Sequence, residues 1–335
     1  MTDLQTGPGP GSGAAAPELS PEEEHERKLE ARLERAAARG PKTTRVVAAR
    51  VSLRARIVEL WRSRELFIFL ARKDIKVKYK NSVLGFLWSM LNPALTLIVY
   101  FLVFKVVLKN GVPQFAIYLF SGLLVWNLFQ TAIIGATSAV VSNGGIVKKV
   151  SFPREILALS TVGSSTVFFF FQALVMVLFL VVLQHSPAWG QMWLLVPALV
   201  ALLVFTSALA VFLSAVNVYF RDVEHLVQVM LMVWFWAIPI VYVFHQVQSG
   251  LQRHHLFWIY VADPLVPVVL TFQRVLYNVS TYTPPGATTP VPLLPEHSTA
   301  WYATFNLAVA GVSALLVLGS LVVFGRLEGN FAEEL

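Results

Sequence analysis

The chain has 335 residues, of which 56% are hydrophobic and only 13% charged, with no cysteine and a formal net charge of +7. So apolar a composition excludes an ordinary soluble domain, and the missing cysteines exclude disulfides, thiol catalysis and cysteine-based metal sites. The basic excess is not a nucleic-acid footprint, because 17 of the 26 Lys and Arg lie before Asn81, beside the first long apolar run and without interleaved aromatics.

Residues 1–19 are rich in Gly, Pro, Ala and Ser, a composition that stays disordered. Ser20-Pro21-Glu22-Glu23 reads as a helix start, with Ser as N-cap and Pro at the first position. Glu23/Arg27 and Glu24/Lys28 add i,i+4 ion pairs, but no wide apolar stripe follows. Residues 1–45 are therefore expected to be a disordered and charged helical cytoplasmic extension whose charges stay solvated. Within 46–80, Leu53, Ile57, Leu60 and Trp61 recur at helical spacing among Arg50, Arg54, Arg56, Arg62 and Arg64. That pattern predicts a basic amphipathic helix on the cytoplasmic interface, whose apolar face meets lipid or protein. The first 80 residues hold no apolar core of a cleaved signal peptide, so the first span is expected to insert as an internal signal.

Residues 81–335 form the membrane domain. Six segments, near 84–108, 115–141, 156–183, 191–216, 226–244 and 302–325, reach or nearly reach the roughly 20 residues that cross hydrocarbon. The fold class is an all-α polytopic membrane protein with six transmembrane helices. The cationic run from Arg72 to Lys80 places the N-terminus in the cytosol, and an even number of spans returns the C-terminus to the same side. Lys148, Lys149, Arg154 and Arg221 then fall in cytoplasmic loops. In the last external loop, 245–301, the apolar stretch 256–270 is broken by Asp263-Pro264 and Pro267. A re-entrant hairpin fits it better than a seventh span, because proline removes backbone donors that lipid cannot replace.

The spans carry no Asp or Glu away from their ends, which disfavours ion-coupled transport and membrane glycosyl transfer, both of which use buried carboxylates. The His residues are scattered, and His254-His255 reads as a solvated pair rather than a metal site. No phosphate-cradling G-x-x-x-x-G-K-[ST] occurs, so ATP, if used, is bound by another polypeptide. No catalytic, cofactor or metal residue is assigned. Asn92 precedes Pro93, which is expected to kink or break the first span. Asn127, Gln130 and Thr131 in the second span, and Gln172 in the third, fit interhelical hydrogen bonding and fit a polar pore lining equally well. Tyr100, Trp126, Trp234, Trp236 and Tyr242 are candidate lining aromatics; for any one of them, lipid or core packing is the ordinary role.

Five passages carry a family likeness. They are Tyr79-Lys-Asn-Ser-Val-Leu-Gly-Phe-Leu-Trp-Ser-Met-Leu-Asn-Pro93, Ser151-Phe-Pro-Arg-Glu-Ile156, Val218-Tyr-Phe-Arg-Asp-Val223, Asp263-Pro264 with Phe272-Gln-Arg274, and Phe324-Gly-Arg-Leu-Glu-Gly-Asn-Phe-Ala-Glu-Glu334. In register over residues 60–335, they resemble the permease subunit of ABC-2 type polysaccharide exporters, the O-antigen and teichoic-acid group. The resemblance implies a membrane subunit that moves a lipid-linked polysaccharide outward and is not itself an enzyme. Its setting would be the bacterial cytoplasmic membrane, as a homodimer with two copies of a separate ABC ATPase subunit that binds ATP and Mg. It also implies an interface helix at about 52–72 and two short re-entrant helices at 250–280. Rival readings are an ABC-2 exporter of a small drug or lipid, and a membrane enzyme acting on a lipid-linked sugar.

On this resemblance, Lys148, Lys149, Pro153, Arg154 and Glu155 are expected to couple to the ATPase, with Arg221 and Asp222 in the next cytoplasmic loop. Arg62, Arg64, Arg72, Lys76, Lys78 and Lys80 are expected at the interface, within reach of lipid phosphate. Asn92, Tyr100, Trp126, Asn127, Gln130, Trp234, Trp236 and Tyr242 are the candidate channel lining, and Asp263 and Arg274 the external mouth. The chain departs from the family pattern at Asp263, where Asn is usual, at Ala237-Ile238-Pro239, where Ser-Pro or Thr-Pro is usual, and in its 1–45 extension.

Overall fold

The computed structural model describes residues 30, 53–79, 87–107, 109, 111–244, 260–279, 281–283 and 288–335. The chain divides into two units, 1–48 and 49–335. Of the first unit only Glu30 is described, and it is helical. The expected helix start at Ser20, Lys80 and residues 245–259 lie outside the described residues.

The described residues of the second unit are mostly helical. Two helices, α1 (Leu53–Arg62) and α2 (Arg64–Tyr79), precede the apolar segments. Then come α3 (Leu87–Phe101), running into a π-helical turn at Leu102–Val107, α4 (Phe115–Ser142), the single turn α5 (Gly144–Val147) and α6 (Glu155–Val182). A 3-10 turn at Trp189–Leu194 leads into α7 (Leu195–Tyr219), followed by α8 (Val223–Ala237) and α9 (Leu265–Leu276). The chain ends in α10 (Thr299–Leu327), a 3-10 turn and α11 (Phe331–Glu334). A two-residue antiparallel ladder pairs Thr281 with Pro292 and Tyr282 with Val291.

Among the described residues four helical stretches are long and apolar enough to cross a membrane: Phe115–Ser142, Glu155–Val182, Trp189–Tyr219 and Thr299–Asn330. They fall on the second, third, fourth and sixth expected spans. The first and fifth expected spans are not among these four. The helix continues through Pro93 instead of breaking there; proline removes one backbone bond, and a membrane helix tolerates that loss when its neighbours hold it in line. The segment expected at 226–244 stops being helical at Ala237, because Ile238 is extended (φ −99, ψ 143) ahead of Pro239. A residue before proline is driven out of the α region. α8 therefore has 15 residues, about 22 Å of helix at 1.5 Å per residue. α9, with 12 residues, is about 18 Å long, too short to cross some 30 Å of hydrocarbon unaided.

α4 is the central helix, packed by α6, α7, α8 and α9. Its most apolar window is 78% buried, against 28% for α6 and 22% for α10. The last two therefore turn a full apolar flank outward, with Leu174, Leu178 and Val181 on α6 and Leu307, Val312 and Leu315 on α10 exposed. A surface of this kind needs lipid against it. Three buried hydroxyls answer their own helices: Thr137, Thr206 and Thr271 donate to carbonyls four residues back, which keeps these donors satisfied in an apolar layer. Between helices, the Asn306 amide donates to Thr271 Oγ1 (2.7 Å) and the Gln273 amide to the Pro239 carbonyl (2.8 Å). These bonds fasten buried α9 to its neighbours. α2 lies along α6, and Gly163 makes that approach possible, since a Cβ there would stand 2.6 Å from the Phe67 ring.

Candidate functional site

Four separate pieces of sequence meet at the end of the unit that holds the C-terminus. Glu155 opens α6 and is completely buried. Arg56 of α1 donates from Nε to Glu155 and from Nη2 to Glu328, which follows α10. Arg154 Nη1 donates to the Glu328 carbonyl (2.8 Å), and its Nε lies 3.7 Å from Glu328 Oε1. Tyr219, ending α7, donates its hydroxyl to the Leu327 carbonyl (2.7 Å) and sets its ring edge-on to Phe331. Both guanidinium groups lie over aromatic rings, Arg56 on Phe324 and Arg154 on Phe331, each at 5.8 Å.

The electrostatics are those of a charge taken partly out of water and matched there. Burial opposes the charge on Arg56, but the hydrogen bond and charge of Glu155, joined by Glu328, outweigh it and hold its pKa above the ordinary value. A pair placed this way has little net effect on stability while intact and costs several kcal/mol when one partner is removed. Around the cluster, Lys148, Lys149, Arg221 and Asp222 are exposed, whereas Pro153 is buried. Glu155 therefore touches the cluster and not the surface. Arg221 reaches the Glu334 carbonyl at 3.5 Å.

A second feature is a cleft of about 310 Å³ between α3, α4 and α8. Tyr100, Trp126, Asn127, Gln130 and Trp236 line it, with Thr96 and Phe235. The aromatic wall is continuous: Tyr100 stacks on Phe235 (5.6 Å), meets Trp236 edge-on (6.5 Å), and Trp126 tilts against Phe235 (5.4 Å). Asn127 also donates to Gln172 Oε1 of α6 at 3.1 Å, so the interhelical role is real for that amide. Trp234 and Tyr242 lie outside the cleft. The Trp234 indole N–H donates to Asp263 and its ring meets Phe129 edge-on at 5.2 Å. The Tyr242 hydroxyl is 3.3 Å from that of Tyr260. The side chain of Asn92 is outside the described residues.

Asp263 Oδ1 accepts from the Leu265 backbone N–H (2.8 Å), so its carboxylate satisfies the first backbone donor of α9 while its other oxygen holds Trp234, whose ring packs midway along α4 on Phe129. Arg274 donates to Gln191 Oε1 (3.0 Å) and lies over the Tyr302 ring at 5.1 Å. Asp263 and Arg274 are thus both engaged, with different partners. On α2 and just before it, Arg62, Arg64, Arg72, Lys76 and Lys78 are exposed.

Reading the sequence missed Arg56, Tyr219, Glu328 and Gly325, which leaves room for the Arg56 guanidinium, as site residues. The signal for three of them was present, since Tyr219, Gly325 and Glu328 stand inside the passages with family character. Arg56 had no such mark among five similar arginines.

Comparison with known proteins agrees with this architecture. Residues 65–277 match the ABC-2 type transporter family. The O-antigen export system permease protein RfbA of Myxococcus xanthus is 32% identical over 277 residues, covering 83% of this chain and 98% of that protein. Two proteins of the same name from Klebsiella pneumoniae are 30% identical over 214 residues (64% of this chain, 81% of theirs) and 29% identical over 271 residues (80% and 94%). With more than half of its residues matched to the family and a relative covered almost end to end, this chain belongs to the ABC-2 type transporter family.

Proposed function

We propose that this chain is the membrane subunit of an ATP-driven exporter that carries a lipid-linked polysaccharide from the cytoplasmic to the external face of a bacterial cytoplasmic membrane. The observation that supports it most is the convergence on Arg56. Three loop or terminal passages, far apart in sequence, share one polar cluster with the helix that precedes the first apolar segment. A transport subunit driven from outside needs such a point, where a push on a loop reaches several helices at once. The names of the relatives supply the cargo class.

In this reading the Arg56 end is cytoplasmic. Exposed Lys148, Lys149, Arg221 and Asp222 face a separate ATPase, two copies of which bind ATP and Mg for a homodimer of this chain. Displacement of the 148–155 loop passes through Arg154 and Glu155 to Arg56 and so to α1. α3 and α8 complete six spans, and α9 is a re-entrant helix at the external mouth. The cleft between α3, α4 and α8 is one half of a channel, with the second half from the partner subunit. Its aromatic wall suits sugar rings, which pack a C–H face on an aromatic face while their hydroxyls stay wet. Weak repeated contacts let a polymer slide where one tight site would hold it.

The test is flux of lipid-linked glycan across proteoliposomes holding this chain and its ATPase. Flux is expected with the intact ATPase and should vanish when the phosphate-loop lysine of the ATPase is replaced. Transport without ATP hydrolysis would reject the reading, and transport of small lipids but not glycan would move it to another cargo.

A further inference from the structure

A groove of about 280 Å³ runs between α2, α4 and α6. Hydroxyls form its walls: Thr131, Ser138 and Ser142 from α4, and Ser160, Thr161 and Ser165 from α6. Ser138, Ser160 and Thr161 donate to carbonyls of their own helices, and their oxygens remain acceptors. A lysine of α2 stands at each end. Lys73 Nζ donates to Asn143 Oδ1 (3.0 Å) and lies 3.9 Å from Asp74 Oδ1, which also lines the groove. Lys78 Nζ sits 4.5 Å from the centroid of the Phe168 ring.

Lys78 is the informative one. Phe168 stands thirteen residues into α6, counted from Glu155, about 20 Å along the helix. A cation set against the apolar flank of a long apolar helix, well past that helix's first turns, is a candidate functional position. Among the described residues no carboxylate lies within ion-pair distance of Lys78. Its side chain is open toward the groove and the outside, yet packed enough by protein that burial alone lowers its pKa. The helix that carries it also exposes Ile68, Phe69 and Val77, the apolar surface against which acyl chains lie.

We propose that this groove binds the phosphate of an anionic lipid headgroup, held by Lys78 at the deep end and Lys73 at the other, with the hydroxyls between them taking the headgroup's glycerol or sugar. An arriving phosphate would replace Asp74 as the counter-ion of Lys73. A lipid, rather than a soluble anion, fits because the cations are presented from a helix lying on apolar surface. The proposal rests on the exporter reading only for the leaflet, which would be the cytoplasmic one. The test below needs no transport and no ATPase, so each idea can fail without the other.

The full-length chain, in nanodiscs of phosphatidylcholine, is titrated with dioctanoyl phosphatidylglycerol, dioctanoyl phosphatidylcholine, a polyprenyl phosphate and inorganic phosphate. The two anionic lipids should bind about tenfold or more tightly than phosphatidylcholine, the scale of one charge-assisted hydrogen bond. Whichever anionic lipid binds tighter identifies the source of the headgroup. Lys78→Gln should remove most of that preference, Lys73→Gln part of it, and Lys78→Arg should retain it. Thermal unfolding in phosphatidylcholine alone shows that the variants are folded. Equal binding of charged and zwitterionic lipid, or a preference untouched by both Gln variants, would overturn the proposal. So would displacement of the anionic lipid by millimolar inorganic phosphate, which would assign the groove to a soluble anion.

Discussion

Gly325 has no side chain where the guanidinium of Arg56 lies, and a Cβ there would overlap it. The contact joins α10 to α1 across 269 residues of sequence, and it shows that the Arg56 cluster is a packed object as well as a charged one. Gly325→Ala should displace Arg56 and destabilise the chain by about 1–3 kcal/mol, the usual cost of overpacking. Because both residues act on the same contact, Gly325→Ala combined with Arg56→Ala should cost less than the sum of the single changes. Thermal unfolding of the detergent-solubilised variants measures this; strict additivity would show that the two do not interact.

Removing charge from the cluster should matter more than removing the cluster. Arg56→Met leaves the Glu155 carboxylate buried without its partner, at a cost of about 3–5 kcal/mol for a fully buried pair and less here, where Arg56 is partly exposed. Arg56→Met with Glu155→Leu should recover most of the stability. If the cluster transmits motion, the double variant should still show slow ATP-driven flux in spite of its recovered fold. Full flux in the stable double variant would reduce the cluster to a structural tie.

Much of this architecture could be read from the chain because a membrane helix needs a long apolar run, and such runs are visible without any knowledge of packing. The fifth span was overextended because Ile238, Ile240, Val241 and Val243 keep the hydropathy high past Pro239, although they are buried in irregular backbone. Trp234 and Trp236 were grouped together by composition. Two residues apart on a helix, they point about 200° apart, so Trp236 reaches the cleft while Trp234 reaches Asp263. Arg56 was hidden for a different reason. Nothing local separates it from Arg54, which is exposed; only the fold brings Glu155 and Glu328 to it.

That division between the two tryptophans gives a paired test. Trp236→Ala, in the cleft and 52% exposed, should leave stability within about 0.5 kcal/mol of the wild type, as for most surface changes. It should nonetheless slow glycan flux. Trp234→Phe keeps the ring packing but deprives Asp263 of its indole donor, and should destabilise by about 1–3 kcal/mol, the cost of an unsatisfied buried group. The reverse pattern, with Trp236 structural and Trp234 affecting flux alone, would remove the cleft from the transport path.

Asp74 offers a pH test outside the spans. Burial raises its pKa above the ordinary 3.8, and Lys73 only partly opposes this. In the window between the ordinary and the raised value the folded chain holds more proton than the unfolded one, so stability falls as pH rises through it. Above the window the penalty on the charged form persists. Asp74→Asn should therefore be neutral or mildly stabilising at pH 7 and should flatten that part of the stability profile. A destabilised Asn variant at pH 7 would mean that the Lys73 pair outweighs burial.

The exposed cations of the 148–149 turn should behave unlike the buried cluster. Lys148 and Lys149 are exposed and the ion pairs of the cluster bypass them, so Lys148→Glu with Lys149→Glu should leave the unfolding temperature of the isolated chain nearly unchanged. Their charge is free to meet an ATPase surface, where rim charges govern association rate and salt dependence more than contact strength. The charge-reversed chain should bind its ATPase more slowly, with a weaker dependence on salt, and transport should fall in proportion to the complex lost. Arg154→Gln, which loses its side-chain bond to the Glu328 carbonyl, should show the opposite signature: normal association, a lower unfolding temperature, and ATP hydrolysis that continues with less glycan moved per ATP. Measuring association, stability and the flux-to-hydrolysis ratio on both variants separates docking from transmission. If the two variants changed all three quantities alike, the surface and the cluster would be one functional unit and not two in series.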